Sequence, residues 1–175
     1  MKRKDGGMAL KKDSKQNWEM VRLFVGVSEE KLTTEVNGKK RMICASCLIE
    51  DRPNNLIGTK QMFQLEHRSQ SDNVIKLKAL IAYLKGQVND SDAPCIIFYP
   101  NSSYLYEEYT EWKEDGVVKD SPHTGLWNTI SELLQTINNG RDNPITIEFR
   151  SKDTFLVSAN HLAQEKANDY LCEIL

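Results

Sequence analysis

A polar amide stands where a buried strand is predicted to give way to a helix. The segment "IIFYPNSSYLYEEYTEWKEDG" covers residues 96–116, and its apolar start predicts a short strand followed by a break at Asn101 and Ser102. Side chains at the carboxyl end of a strand often line a ligand site. An aspartate there could hold a divalent cation, whereas an amide is a neutral and weaker ligand. The segment therefore raises the question of whether an active site is present or has been lost.

The elements before Asn101 are predicted from apolar periodicity. Strands are expected at 19–27, 41–50 and 57–68, with the hairpin signal Asn37-Gly38 after the first and the turn residues "DRPNN" after the second. A helix follows, with Ser71 or Asp72 as its N-cap. Its apolar residues repeat at helical spacing and are Val74, Leu77, Ile81, Leu84 and Val88.

The second half alternates strands with helices. A strand at 95–99 precedes a helix whose packed face carries Leu105, Tyr109 and Trp112, and a further helix spans Leu126 to Ile137. A last strand at 145–150 and a last helix at 158–175 complete the chain. Three meander strands followed by two crossovers predict an α/β fold with a mixed five-stranded sheet, three strands antiparallel and two parallel, flanked by helices.

This order resembles the ribonuclease H family over residues 19–175, and short motifs add to the resemblance. Asn101-Ser102-Ser103-Tyr104 is similar to the Asp-Ser-x-Tyr motif after the family's fourth strand, and Trp112 matches the Trp that ends the next helix. Leu126-Trp127 matches a Leu-Trp pair that opens a helix. In the last helix, Asn160, Gln164 and Ala167 fit the pattern Asn-x-x-x-Asp-x-x-Ala.

The resemblance implies where a catalytic site would be. The family cleaves the RNA strand of RNA–DNA hybrids with two divalent cations, which need several converging carboxylates. The matching positions are Gly26, Lys76, Asn101 and Gln164, and none of them is acidic. Lys76 would even place a cation where a metal should bind. The resemblance thus implies no catalytic residue, no metal and no cofactor.

A geometric expectation follows from the same alignment. The four positions should lie together, with Lys76 donating to Asn101, Gln164 or a backbone carbonyl because a buried ammonium needs a partner. Restoring acids at all four positions should then create a metal site, provided the backbone is kept.

Nearby acids offer an alternative. Asp72, Asp169 and Glu29 lie close in sequence to the degenerate positions and could replace the missing carboxylates if the alignment is shifted. The chain would then be a divergent, active ribonuclease H that cleaves RNA in hybrids. The simpler interpretation is that Asp72 caps a helix and the other two acids are solvated.

Cysteine and histidine do not indicate a metal centre. Cys44 and Cys47 lie in a predicted strand, where positions three apart face opposite sides, so both are predicted to be core thiols. Cys95 and Cys172 complete a set of four cysteines without a disulfide pattern. His161 and Glu165 have the spacing of a surface pair on a helix.

Charge divides the chain into a basic arm, residues 1–18, and a ribonuclease H-like domain, residues 19–175. The arm has six Lys or Arg and two Asp, which gives +4, so a total of −2 leaves −6 on the domain. A flexible arm is predicted. The residues expected to contact nucleic acid are Lys2, Arg3, Lys4, Lys11, Lys12, Lys15 and, from the first helix, Asn73.

These observations predict a catalytically inactive module that works by binding. Its main partner is expected to be another protein, with RNA or RNA–DNA hybrid as a secondary partner, because an acidic body opposes counterion release. No apolar run reaches the ~20 residues of a membrane span and no secretory leader is predicted. An intracellular location, cytoplasmic or nuclear, and a retroelement or viral origin are expected.

Overall fold

The secondary structure follows the predicted order, with one additional strand. The computed structural model describes residues 20–28, 32–36, 38–52, 60–67, 71–88, 93–153 and 155–174. The strands are β1 (Met20–Val27), β2 (Leu32–Val36), β3 (Lys39–Asp51), β4 (Lys60–His67), β5 (Cys95–Tyr99) and β6 (Thr146–Phe149). The helices are α1 (Asp72–Gly86), α2 (Ser103–Asp115), α3 (Thr124–Asn138) and α4 (Phe155–Ile174). The basic arm, with Lys2, Arg3, Lys4, Lys11, Lys12 and Lys15, lies outside the described residues, and so does Glu29.

The sheet is mixed, as predicted, and five strands wide. β3 pairs with β4 along one edge, and with β1 and β2 in succession along the other edge. β1 pairs in parallel with β5, and β5 pairs in parallel with β6. The predicted α/β fold with an antiparallel meander and two parallel strands is therefore confirmed.

Strand β2 was not predicted. The residues between β1 and β3 were expected to form only a turn around Asn37-Gly38, yet Leu32–Val36 pairs with the first part of β3. Val36 lies opposite Lys39, and Gly38 has a φ of 75°, so the hairpin signal marks the turn correctly. At the end of β1, Ser28 extends the pairing, since Ala45 N donates to Ser28 Oγ at 3.0 Å. β1 and β2 thus pair with successive parts of β3 on the same side.

Helices cover both faces of the sheet. On one face, α1, α2 and α3 pack on the alternate β1 residues Val21, Leu23 and Val25 in the main core. On the other face, α4 packs its buried Ala159 and Ala163 against Phe24. Cys44 belongs to a cluster with Val27 and Ile75 of α1, whereas Cys47 lies in the α4 core. The two cysteines therefore face opposite sides and are buried, as predicted.

Local polar contacts fix where the helices begin. Ser71 caps α1, and its Oγ accepts from Val74 N at 3.3 Å. Ser102 caps α2 by accepting from Leu105 N at 3.4 Å, and α2 ends at Gly116, whose φ of 75° suits glycine. The break predicted at Asn101 and Ser102 is thus a helix N-terminus directly after β5.

A buried carboxylate joins α2 to α3. Glu108 is 5% exposed, and its Oε1 lies 2.6 Å from His123 Nδ1 and accepts from Ser121 Oγ at 3.1 Å. The indole Nε1 of Trp127 donates to Glu108 Oε2. A buried carboxylate is tolerated only when donors surround it. This cluster therefore fixes the loop between α2 and α3.

Replacing His123 with Ala is expected to lower the free energy of unfolding by about 3 kcal/mol, because the Glu108 carboxylate stays buried with one partner fewer. His161→Ala is the matched control, since the His161–Glu165 pair is exposed to 73% and 57% and should contribute less than about 0.5 kcal/mol. Urea unfolding measures both changes. If both variants lost the same free energy of unfolding, a stabilising role for the buried His123–Glu108 pair would be contradicted.

Candidate active site

The carboxyl ends of β1 and β5 meet, as the predicted topology requires. The parallel pairing of these strands runs from Met20 opposite Cys95 to Phe24 opposite Tyr99. Gly26 and Asn101 each lie two residues beyond the last pair, at the same end of the sheet. The α1 residue that precedes Lys76, Ile75, packs against Val27 at this end. Gly26 and Asn101 thus lie at the same end of the sheet, and the part of α1 next to Lys76 packs near that end.

Asn101 occupies a left-handed backbone position. Its φ is 48°, which an asparagine or aspartate tolerates better than most residues do, and its side chain is exposed. The following Ser102 uses its hydroxyl for the α2 cap. Asn101 therefore serves the sharp turn from strand to helix, and its amide faces solvent.

The backbone of α4 fills the place of a side chain at position 26. A Cβ built on Gly26 would lie closer than 3.0 Å to the backbone of Ala159 and Asn160, a distance that real Cβ atoms essentially never show. Ala159, Ala163 and Ala167 are each 0% exposed, so small side chains allow α4 this close to the sheet. The main chain of β1 and the main chain of α4 are therefore in direct contact.

A side-chain hydrogen bond locks this contact. Asn160 Oδ1 accepts from Val27 N at 3.1 Å. Asn160 was noted only as a motif match, and the α4 residue expected to face β1 was Gln164. Gln164 instead lies one turn further along and donates from Nε2 to Asn168 Oδ1 at 3.1 Å. The α4 side chain that accepts a hydrogen bond from β1 is thus Asn160.

This packing bears on the expectation about restored acids, which required an unchanged backbone. An aspartate at position 26 has no room on this backbone, because its Cβ alone would collide with α4. Returning carboxylates at all four positions would therefore not create a metal site without moving the helix.

Lys76 is half-buried on α1. Burial lowers the pKa of its ammonium, and the nearby Asp72 partly opposes that shift. Asn101 is exposed and Gln164 donates to Asn168, and the expected reach of Lys76 toward Asn101, Gln164 or a backbone carbonyl stays a prediction. Asp72 is the acidic neighbour of Lys76, one helical turn before it.

The remaining predicted site residues take simple roles. Asp72 lies in the first turn of α1, while the cap itself is Ser71. Asp169 is exposed on α4, Asn73 is half-buried beside Asp72, and the His161–Glu165 pair is on the surface at 3.1 Å. Among the described residues, no three His, Cys, Asp or Glu side chains are placed to hold a metal ion.

In the same part of the chain, no helix is long and apolar enough to cross a membrane.

Comparison with solved structures identifies the fold as ribonuclease H-like. The prototype foamy virus protease-reverse transcriptase matches with a TM-score of 0.54 and 16% identity over 85% of this chain. The match covers 20% of that viral chain, so this protein spans only a small part of its length. The N-terminal RNase H domain of a Mycobacterium tuberculosis protein, solved as a fusion with maltose binding protein, matches with a TM-score of 0.52 and 14% identity. That match covers 87% of this chain and 98% of the other.

A third structure, the foamy viral protease-reverse transcriptase in complex with dsDNA, has a TM-score of 0.50 and 18% identity, and covers 83% of this chain and 89% of that one. No family model matches the sequence, and no curated protein does. Identities this low establish the fold, and they leave the activity to be argued from the site itself.

Replacing Gly26 with Ala is expected to lower the free energy of unfolding by about 3 kcal/mol or more, since the added methyl forces α4 away from β1. Gly125→Ala is the control, because Gly125 lies in a helix and a Cβ added there would meet nothing within 4 Å. That control should be neutral or stabilising by up to about 1 kcal/mol. Denaturant unfolding compares them, and a Gly26→Ala protein as stable as the original would refute the close packing.

Proposed function

We propose that this chain is a catalytically inactive ribonuclease H-like domain that acts by binding another protein. The observation that carries the proposal is the contact between Gly26 and the backbone of α4, which leaves no space for the first carboxylate of a two-metal site. Three further positions hold a lysine, an exposed asparagine and a glutamine. Without converging carboxylates, no pair of cations can offset the charge that builds on a phosphate during hydrolysis.

The surface charge supports a protein as the main partner. Residues 19–175 carry a net charge of −6. On α2, which begins at the candidate site, Glu107, Glu114 and Asp115 are exposed. Acids on this helix repel a long polyanion, and duplex binding depends on neutralising phosphates. Nucleic acid is therefore proposed as a secondary partner that binds mainly to the basic arm, residues 1–18. On the domain itself, Asn73 is the residue proposed to contact nucleic acid.

The location and the origin are part of the same proposal. An intracellular site, cytoplasmic or nuclear, and a retroelement or viral ancestry rest on the composition and on the motif resemblance around Asn101 and Trp112. The divergent, active ribonuclease H remains the competing function. The next experiment separates the two.

Purified protein is expected to leave a labelled RNA–DNA hybrid intact in Mg²⁺ or Mn²⁺, with product no faster than in a buffer blank. A bacterial ribonuclease H assayed in parallel shows that the substrate is competent. Hydrolysis that Asp72→Asn or Asp169→Asn abolishes would overturn the proposal, because it would show that nearby acids form the metal site.

Deleting residues 1–18 is expected to remove most binding to RNA or hybrid, since these residues hold the clustered cations. For the full chain, the slope of log K against log salt should be no steeper than about −5, as six cations each contribute at most about 0.9. Filter binding at several salt concentrations measures both. Tight binding by the truncated protein at physiological salt would contradict the assignment and indicate a nucleic-acid groove on the domain.

A further inference from the structure

A basic and aromatic groove lies at the outer edge of β6. It has a volume of about 540 Å³, and its lining includes Tyr106, Tyr109, Lys113, Phe149, Arg150 and Lys152. None of the four degenerate positions lines it. The groove is therefore separate from the candidate active site, and the loss of catalysis does not account for it.

Stacked aromatic rings form its floor. The Tyr109 ring lies parallel to Phe149, with centroids 4.7 Å apart and 6° between the planes. The Tyr109 hydroxyl donates to the Ile147 carbonyl at 2.9 Å, which anchors α2 to β6. Tyr106 lies beside Tyr109 and is 47% exposed. A floor that is already fixed reduces the ordering that a ligand must impose on binding.

The rim is positively charged. Lys113 Nζ lies 5.7 Å from the Tyr109 ring centroid, and Arg150 and Lys152 follow β6 on the other side. The acid in the lining is Glu148, which pairs with Arg150 at 3.3 Å. Because both side chains are about half exposed, this ion pair contributes little to stability. Arg150 can therefore exchange Glu148 for a carboxylate of a ligand. Three cations against one acid leave the groove suited to an anionic ligand.

The backbone of β6 offers a second feature. Thr146 N donates to Pro94 O at 2.7 Å and Arg150 N donates to Phe98 O at 2.9 Å, so the even-numbered residues turn toward β5. The polar groups of Ile147 and Phe149 therefore point outward. The Ile147 carbonyl accepts a hydrogen bond from the Tyr109 hydroxyl. The N–H and C=O of Phe149 have no hydrogen-bond partner among the described residues. An open strand edge of this kind can pair with an extended chain.

We infer that the groove binds a short, acidic, extended segment of a partner protein, which pairs with Phe149 and places carboxylates on Lys113, Arg150 and Lys152. This inference rests on the proposed function and names the surface and the chemistry of the partner. A peptide is favoured over nucleic acid because an unpaired strand edge recognises another peptide backbone.

The test uses the full chain and a fluorescein-labelled hexapeptide, Glu-Val-Glu-Val-Glu-Val, followed by fluorescence anisotropy. Saturable binding is expected, and the double variant Arg150→Glu, Lys152→Glu should weaken it by at least about tenfold, since two charge-assisted contacts are lost. The matched control Lys85→Glu, Lys119→Glu makes the same change in charge on exposed lysines away from the groove. It should alter the affinity by less than about threefold.

A second readout tests strand pairing. The amide resonance of Phe149 should shift on addition of the peptide, and a peptide with alternate N-methylated amides should bind at least about tenfold more weakly. Absence of binding, equal losses in both charge variants, or preferential binding of a single-stranded oligonucleotide in the groove would each overturn the inference. These failures leave the hybrid-cleavage result untouched, so they differ from a failure of the proposed function, which would appear as metal-dependent hydrolysis.

Discussion

The close contact between β1 and α4 at Gly26 is the constraint on which the rest of the site depends. Glycine in the strand and alanines on the helix let the two main chains touch, and Asn160 fastens them by accepting from Val27 N. An acidic side chain at position 26 and this packing exclude each other. Interiors are packed too densely for a helix to yield at no cost, so the helix position fixes the chemistry that the site can perform.

Helix α2 links the end of the sheet where β1 and β5 meet to the outer edge of β6. It starts at Ser102, directly after the strained turn at Asn101, and its buried Glu108 binds His123 and Trp127 of the next segment. The same helix presents Tyr109 and Lys113 to the edge of β6. One helix therefore combines a buried anchor on its inner side with part of the groove lining on its outer side.

The fold was predictable from the sequence because its signals are local. Helical spacing gave α1, α2 and α3, the Asn37-Gly38 signal gave the hairpin, and the polar break at Ser102 gave the start of α2. Strand β2 was missed because "LTTEV" is short and lies beside turn residues. The contact between Gly26 and the backbone of α4 could not be predicted. A glycine in a strand allows another main chain to approach, but the sequence does not indicate which one. No motif in the sequence marks Glu108 as buried, and only its contacts with His123 and Trp127 in the fold reveal that it is.

Manganese titration followed by NMR tests the central claim most directly, because a bound paramagnetic ion broadens nearby amide resonances. If α4 closes the site, the amides of Gly26, Val27 and Ser102 should keep their line widths at Mn²⁺ concentrations that saturate an active ribonuclease H. Any broadening should be weak and should affect amides near exposed acids such as Glu107 and Glu114. Selective broadening of Val27 and Ser102 together would place a metal between β1 and β5, and would contradict the account of a site removed by packing.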